Sequence, residues 1–328
     1  MSGLRSMVRQ AAYRSGALSL ARAGVRHALT AVMFHRVLDP ADPDYPQADP
    51  VYTISTPLFE QLLGFFHDHY AVVDLQGVLN AHAGTRKLPH NALLITFDDG
   101  WADNYRYAAP LLRARNMPAV IFVAAQAVQS DAKAWWQEEV FTLARAGRLD
   151  AWLAQAPMNR DGDPVEVVAR LALMDAGERD GILANLPCMP SYSRMMMTGD
   201  ELRRLADGGI AVGLHGSRHV PLTSLDDVRS ELLEAGEILT SLTGGTAATS
   251  ALGCPHGLYD DRVVAEARAV GIKLIFTSDK RLNATQDGMI MHPRPLGRIG
   301  IAAAHIEATP HRLDRAAAAR WLWPRECN

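Results

Sequence analysis

Short unbroken apolar runs, separated by longer segments of helical period, constrain this chain more than any other feature of its sequence. Ala92-Leu-Leu-Ile-Thr-Phe97 and Ala119-Val-Ile-Phe-Val-Ala124 lack the alternation of a half-exposed strand. Runs of that kind belong to parallel strands covered on both faces. Further strands are predicted at Leu29–His35, Ala71–Leu75, Ile210–Leu214, Ser250–Gly253 and Ile272–Thr277, with a last one at Arg298–Ala302. Helical patterns fall between them at Thr56–His67, Trp101–Asn116, Asp200–Asp207, Leu225–Leu242 and Asp260–Val270. Seven or eight such βα units in series predict an α/β fold closed as a barrel.

The alternation breaks between about 126 and 198, where helical pieces at Trp135–Ala146 and Val165–Leu173 flank the turn-rich Pro157-Met-Asn-Arg-Asp-Gly-Asp-Pro164. This reads as a helical insertion after one strand, on the face where barrels build their sites. The expected organisation is an N-terminal helical extension over 1–29, a barrel over 30–308 that carries the insertion, and a C-terminal helix or tail over 309–328. With 33 basic and 36 acidic residues the net charge is −3, so no positive field is available for a phosphate backbone, and nucleic acid is not an expected partner. Arg5, Arg9 and Arg14 precede an apolar stretch, Gly16–Ala21, that is shorter than the roughly 7 to 15 residues of a signal-peptide core. No run approaches the roughly 18 apolar residues of a membrane span. The expected location is the cytoplasm, with peripheral contact at the inner membrane face open to the basic N-terminus. Cys188, Cys254 and Cys327 fall in no metal or redox spacing and are expected to be free thiols.

Two polar clusters stand at the ends of predicted strands. Thr96-Phe-Asp98-Asp99-Gly100-Trp101 places two carboxylates where an apolar strand gives way to a helix. Burying both needs a positive partner, and a metal ion supplies one. Read alone, the pair also fits a helix cap beside a solvated carboxylate. The second cluster is Gly213-Leu-His215-Gly-Ser-Arg-His219, in which one turn of chain brings two imidazoles onto one ion and Gly216 eases the exit from the strand. Twelve histidines in 328 positions make about 0.4 such pairs by chance, so position after a parallel strand carries more weight than spacing. Asp99, His215 and His219 around an open fourth position would form a catalytic metal site, with Zn²⁺ the first choice and Co²⁺, Ni²⁺ or Fe²⁺ also suited.

Thr96-Phe-Asp-Asp-Gly100 followed by His215-Gly-Ser-Arg-His219 resembles the polysaccharide deacetylase family, the NodB-like carbohydrate esterases of family 4. The resemblance runs from about Thr30 to Ile301 and takes in Pro110-Leu-Leu and Ala119-Val-Ile-Phe-Val. It implies a distorted (β/α)₇ barrel and metal-dependent removal of N-acetyl groups from amino sugars in a glycan, an oligosaccharide or a lipid-linked precursor, with release of acetate. It further implies Asp98 as catalytic base and Asp99, His215 and His219 as metal ligands. Hydrolysis of another amide, such as a formamide or cyclic imide, and an inactive sugar-binding relative remain alternative readings.

The chain departs from that pattern twice. The family's Arg-x-Pro-Tyr appears as Gly253-Cys-Pro255-His256, so its arginine is missing and the His256 N–H is left to serve as oxyanion donor, with Pro255 beside the substrate. Arg298, which opens the last predicted strand, is the expected replacement, and Arg294 is the alternative. The late Leu-x-His motif that supplies the acid is also missing. Ala31-Val-Met-Phe-His35-Arg-Val is instead similar to the Tyr-His-x-Val of the poly-N-acetylglucosamine deacetylase branch, which implies His35 as the acid. Trp101, Trp135 and Trp136 are the expected stacking faces for a sugar ring, against the alternative of core packing.

Overall fold

The structure is a computed structural model that describes residues 26–129, 136–156, 164–172, 174–186, 195–290 and 294–323, together with 10, 11, 13 and 15. Its strands are β1 (Ala28–Phe34), β2 (Arg36–Leu38), β3 (Thr53–Ser55), β4 (Ala71–Val72), β5 (Ala92–Phe97), β6 (Val120–Val123), β7 (Ala211–Leu214), β8 (Ala248–Gly253), β9 (Leu274–Phe276), β10 (Asn283–Ala284) and β11 (Ile299–Gly300). β1, β5, β6, β7, β8 and β9 are parallel neighbours in that order, and β11 joins the other edge of β1. The seam closes just before β11. Leu296 bridges Phe276 in parallel, its N–H donating to the Ile275 carbonyl at 2.7 Å, and three residues further on Ile299 pairs with Val32. Seven parallel strands therefore form the distorted (β/α)₇ barrel that the sequence predicts.

Strand period two explains the unbroken apolar runs. Leu29, Ala31, Leu94, Val120, Phe122, Ala251, Leu274 and Phe276 fill the interior of the barrel. Val32, Phe34, Ile95, Phe97, Ile121, Val212 and Leu252 face outward, under the helices Thr56–His69, Gly199–Asp207, Val228–Leu242 and Asp261–Ala269. Each fully buried Val, Leu, Ile or Phe is worth about 1.5–3 kcal/mol, so both faces hold the strand in register. At the carboxyl ends the interior layer turns polar, with Thr96, Asp98 and Arg298 all buried.

Two local expectations need correction. The predicted strand Ala71–Leu75 stops at Val72, because Asp74 caps a helix over Leu75–His82 by accepting from the Gly77 N–H at 2.6 Å. The predicted helix Trp101–Asn116 is not uniform. A π-helical turn occupies Asn104–Ala108 before the α-helix Ala109–Ala114.

The insertion is helical, as expected, with Trp136–Arg145, Leu149–Leu153, Pro164–Ala172 and Ala176–Leu183 packed around Val140, Leu143, Trp152, Leu153, Val167 and Leu171. Both its ends are laced to the two polar motifs. On entry the Ala125 and Gln126 N–H groups donate to the Gly216 and Ser217 carbonyls, and on exit Met195 and Met197 bond the backbone of Ala102 and Gly100. Among the described residues no helix is long and apolar enough to cross a membrane.

Candidate active site

β5 delivers Asp98 and Asp99, and β7 delivers His215 and, one turn later, His219 to the same end of the barrel. Three non-glycine residues at this end take left-handed backbone conformations, Asp99 at φ 83°, His219 at φ 53° and His256 at φ 56°. Asp and His tolerate that region better than most residues, and the strain is held by the surrounding structure. Gly216, at φ 72°, supplies the sharp exit from β7 that its sequence position suggested.

The Asp99 Oδ1 stands 3.3 Å from His215 Nε2 and 3.4 Å from His219 Nε2. Ligands about 2.0–2.1 Å from a tetrahedral ion lie about 3.3–3.4 Å apart, so both Asp99 spacings suit a transition metal, and the three ligand atoms all lie within 4.8 Å of one another. The second oxygen of Asp99 and the second ring nitrogen of His215 are already committed elsewhere. Trp101 Nε1 donates to Asp99 Oδ2 at 2.8 Å, and His215 Nδ1 lies 2.7 Å from the Gly253 carbonyl. A carbonyl only accepts, so Nδ1 carries a hydrogen; Nε2 faces Asp99, where it donates to the carboxylate without an ion and would offer its lone pair to one. Although burial opposes it, the charge of Asp98 and the contact with Asp99 raise the His215 imidazole above its ordinary value. Burial opposes ionisation of Asp99, but the hydrogen bond from His215 and the charges of His219 and His35 hold its carboxyl well below the usual carboxylate range. Burial, reinforced by His256, pushes the His219 imidazole well below its ordinary value, which favours the neutral ligand form.

Asp98 is gripped from the seam. Arg298 donates from Nη1 to Oδ1 at 2.5 Å and from Nη2 to Oδ2 at 2.7 Å, while its Nε bonds the Thr277 carbonyl at 3.1 Å. The arginine is completely buried. The missing motif arginine is thus replaced across the barrel, and the reason is steric. A Cβ built on Gly253 would stand 2.9 Å from the Phe122 ring, and one on Gly213 2.7 Å from it. Phe122 fills the space that a side chain from β8 would cross, and the Arg298 guanidinium lies 5.4 Å from its ring centre. Arg294, the alternative, is exposed and lies near Lys273 and Leu274, where β9 begins.

His35 follows β1 and is half-buried at the same mouth, close enough that its charge acts on both Asp99 and His219. Its backbone is fixed by the π-helical turn. Asn104 Nδ2 donates to the His35 carbonyl at 2.8 Å, and the adjacent Asp103 accepts from the Val37 N–H and from Arg36 Nε, both at 2.9 Å. Arg36 in turn lies 4.5 Å over the Trp101 ring. The structure thus brings together Asp98, Asp99, His35, His215, His219, His256 and Arg298. His256 turns its Nε2 to the His219 carbonyl at 3.1 Å, with the two rings 4.5 Å apart.

The expected sugar platforms fare differently. Trp101 is only 5% exposed, with its N–H on Asp99 and Arg36 over its ring, so it orients a ligand rather than facing a sugar. Trp136 packs on the core of the insertion with Arg179 5.4 Å from its ring centre. Trp135 lies outside the described residues. Pro255 is buried against the turn at Gly216, where a Cβ would meet its Cγ at 3.3 Å.

Sequence reasoning missed Glu231. From the helix Val228–Leu242 this buried carboxylate accepts from the Ser217 and Arg218 N–H groups and from Arg218 Nε, each at 2.8 Å, and so clamps the loop between the two histidines. It also missed Asp103, Asn104 and Tyr52, whose ring centre lies 4.7 Å from that of His35. The adjacency of Asp103 and Asn104 to the Asp98-Asp99 motif was the available signal. For Glu231 there was none.

A sequence model of the family described as polysaccharide deacetylase matches residues 85–275, more than half of the chain. The poly-beta-1,6-N-acetyl-D-glucosamine N-deacetylase of Escherichia coli (strain K12) is 36% identical over 63 residues, which is 19% of this chain and 9% of that protein. Among solved structures, the Streptococcus pyogenes deacetylase PplD superposes with a TM-score of 0.57 at 16% identity, over 85% of this chain and 94% of its own. IcaB from Ammonifex degensii does so with a TM-score of 0.56 at 21% identity, over 91% of this chain and 98% of its own. At such identities the likeness to the solved structures is one of fold. The family match, carried on the strands and loops that build this site, establishes that the chain belongs to the polysaccharide deacetylase family.

Proposed function

We propose that this chain is a metal-dependent N-deacetylase that hydrolyses the acetamide of N-acetylglucosamine units in a glycan and releases acetate. One observation carries the reading. A carboxylate held bidentately by a buried arginine, Asp98 on Arg298, stands beside three donors whose 3.3 and 3.4 Å spacings suit one divalent ion, with His35 at the same mouth. Poly-β-1,6-linked N-acetylglucosamine is the favoured substrate, supported by the local identity to the Escherichia coli enzyme and by the histidine that follows the first strand.

Asp99, His215 and His219 would hold the ion, for which Zn²⁺ is the first choice among N/O ligands. Such an ion supplies Lewis acidity, which makes water acidic enough to lose a proton near neutral pH. A carboxylate is too weak a base for bulk water but can accept a proton from water made more acidic in this way, and Asp98 is the carboxylate placed to do so. Arg298 fixes both oxygens of Asp98, so the base meets the attacking water in one orientation. The His256 N–H donates to the oxyanion that develops as water adds to the acetamide carbonyl. His35 gives its proton to the departing nitrogen, and the products are acetate and a free amino sugar.

The test is acetate release from a panel comprising a β-1,6-linked N-acetylglucosamine pentasaccharide, a β-1,4-linked one, N-formyl analogues and a cyclic imide, with Zn²⁺-loaded protein. Acetate from the β-1,6-linked pentasaccharide at the highest kcat/KM is expected. No acetate from any N-acetylhexosamine would overturn the proposal.

A further inference from the structure

The surface around the metal-binding cluster carries a feature that the catalytic residues do not explain. Among the described residues the exposed large apolar side chains are Val51 at 57%, Tyr52 at 49%, Leu233 at 51% and Leu258 at 43%. Three of these four lie on the loops that carry or adjoin the candidate site residues. Val51 and Tyr52 lie on the loop before β3, where the Tyr52 carbonyl accepts from the Arg36 N–H at 3.0 Å, so this loop is tied to the residue after His35. The Tyr52 ring centre is 4.7 Å from the His35 ring, and the phenol is pushed above its ordinary value by burial and then by the charges of Asp49 and Asp99. Leu258 stands two residues beyond His256, whose ring is 4.5 Å from that of His219. In the strand order β1 and β8 lie on opposite sides of the barrel, so the loop tied to Arg36, which carries Tyr52, and the turn after β8, which carries Leu258, leave its mouth from opposite sides.

Exposed apolar side chains at a polar mouth lose free energy to water unless a ligand covers them. A pyranose ring fits such a place. Its faces are C–H surfaces that pack on an aromatic or aliphatic side chain, while its hydroxyl edge stays hydrated. We propose that Tyr52 and Leu258 form a two-sided clamp for the sugar whose N-acetyl group enters the site, Tyr52 packing on one C–H face from the His35 side and Leu258 closing from the His256 side. The clamp rests on the reading of the protein as a glycan N-deacetylase. It makes Tyr52 a substrate-binding residue that also covers the proton donor.

The loop is rigid enough for this task. Asp49 is buried, and its Oδ1 accepts from the Val51 N–H at 2.8 Å while its carbonyl accepts from the Tyr52 N–H at 3.2 Å. The Tyr52 side chain is therefore presented from a fixed backbone, and little ordering entropy is lost when a sugar packs on it.

The experiment compares wild type with Tyr52→Phe, Tyr52→Ala, Leu258→Ala and Leu233→Ala, all loaded with Zn²⁺, using the β-1,6-linked N-acetylglucosamine pentasaccharide. Tyr52→Ala and Leu258→Ala are each expected to raise KM about tenfold, the scale of one lost ring-packing contact, with Tm unchanged. Tyr52→Phe keeps the packing face and is expected to keep KM within about twofold. Leu233→Ala, on the outer face of the helix Val228–Leu242, should match wild type. A merely structural Tyr52 would lower Tm and the active fraction while leaving KM alone. Unchanged KM in both Tyr52→Ala and Leu258→Ala overturns the clamp even while wild type releases acetate. Should wild type release none, equilibrium binding of the same pentasaccharide decides separately, and equal Kd for wild type and Tyr52→Ala overturns the clamp.

Discussion

Arg298→Met removes the guanidinium that grips Asp98 while keeping most of the side-chain volume. The side chains are 0% and 4% exposed, so water cannot replace the lost hydrogen bonds. Breaking a buried ion pair from one side costs about 3–5 kcal/mol, because the remaining charge is stranded in a medium that solvates it poorly. An unfolding entropy of about 2.1 cal/mol/K per residue gives about 0.7 kcal/mol/K for a chain of 328 residues. The expected fall in Tm is then about 4–7 °C. Asp98→Asn combined with Arg298→Met leaves no charge unpaired and should recover about half of that loss or more, although turnover stays abolished without the base. Calorimetry and urea unfolding of wild type, both single variants and the double variant form a complete cycle. A fall in Tm under about 2 °C for Arg298→Met, or a coupling energy under about 1 kcal/mol, would refute the claim that this pair replaces the motif arginine.

Metal content offers a second check: purified wild type should hold close to one transition metal per chain, and His215→Ala should lose most of it, whereas equal content in that variant would remove the cluster from consideration. His35→Ala should keep the metal and the fold but lose about 10²–10⁴ in kcat, as removal of a general acid does, and retention of more than about a third of wild-type kcat would send the search for the acid to His256. Burial pushes the Cys254 thiol up to about 12, so at pH 8.5 the native protein should leave Cys254 unalkylated while the urea-unfolded chain is modified, as read by peptide mass; prompt native labelling would contradict the burial. The same raised value means that Cys254 stabilises the fold below its unfolded pKa of about 8.5, and that this contribution falls away as pH rises from there toward 12.

The sequence by itself determined the barrel and the polar residues at its mouth. A parallel strand buried on both faces must be apolar at every position, so β5 reads out residue for residue as Ala92–Phe97, and β6 to within one residue at each end. The first polar residues after such runs, Asp98, Asp99 and His215, necessarily emerge at the carboxyl ends, and these local facts placed the cluster of carboxylates and imidazoles there. What only the tertiary structure decided depends on pairs distant in sequence. Arg298 lies 200 positions from Asp98, and its selection over Arg294 follows from the closing seam, which aims one side chain inward and leaves the other exposed where β9 begins. The glycines at 213 and 253 are explained by Phe122 on a third strand, whose ring leaves no room for a Cβ at either. Trp101 read as a sugar platform because aromatic character is visible in sequence, whereas its burial under Arg36 and its bond to Asp99 are not. Glu231 carried no motif at all. Its part in shaping the His215–His219 loop exists only because a helix packed beside β7 sets its carboxylate against two backbone N–H groups, a contact made by packing that no single segment encodes.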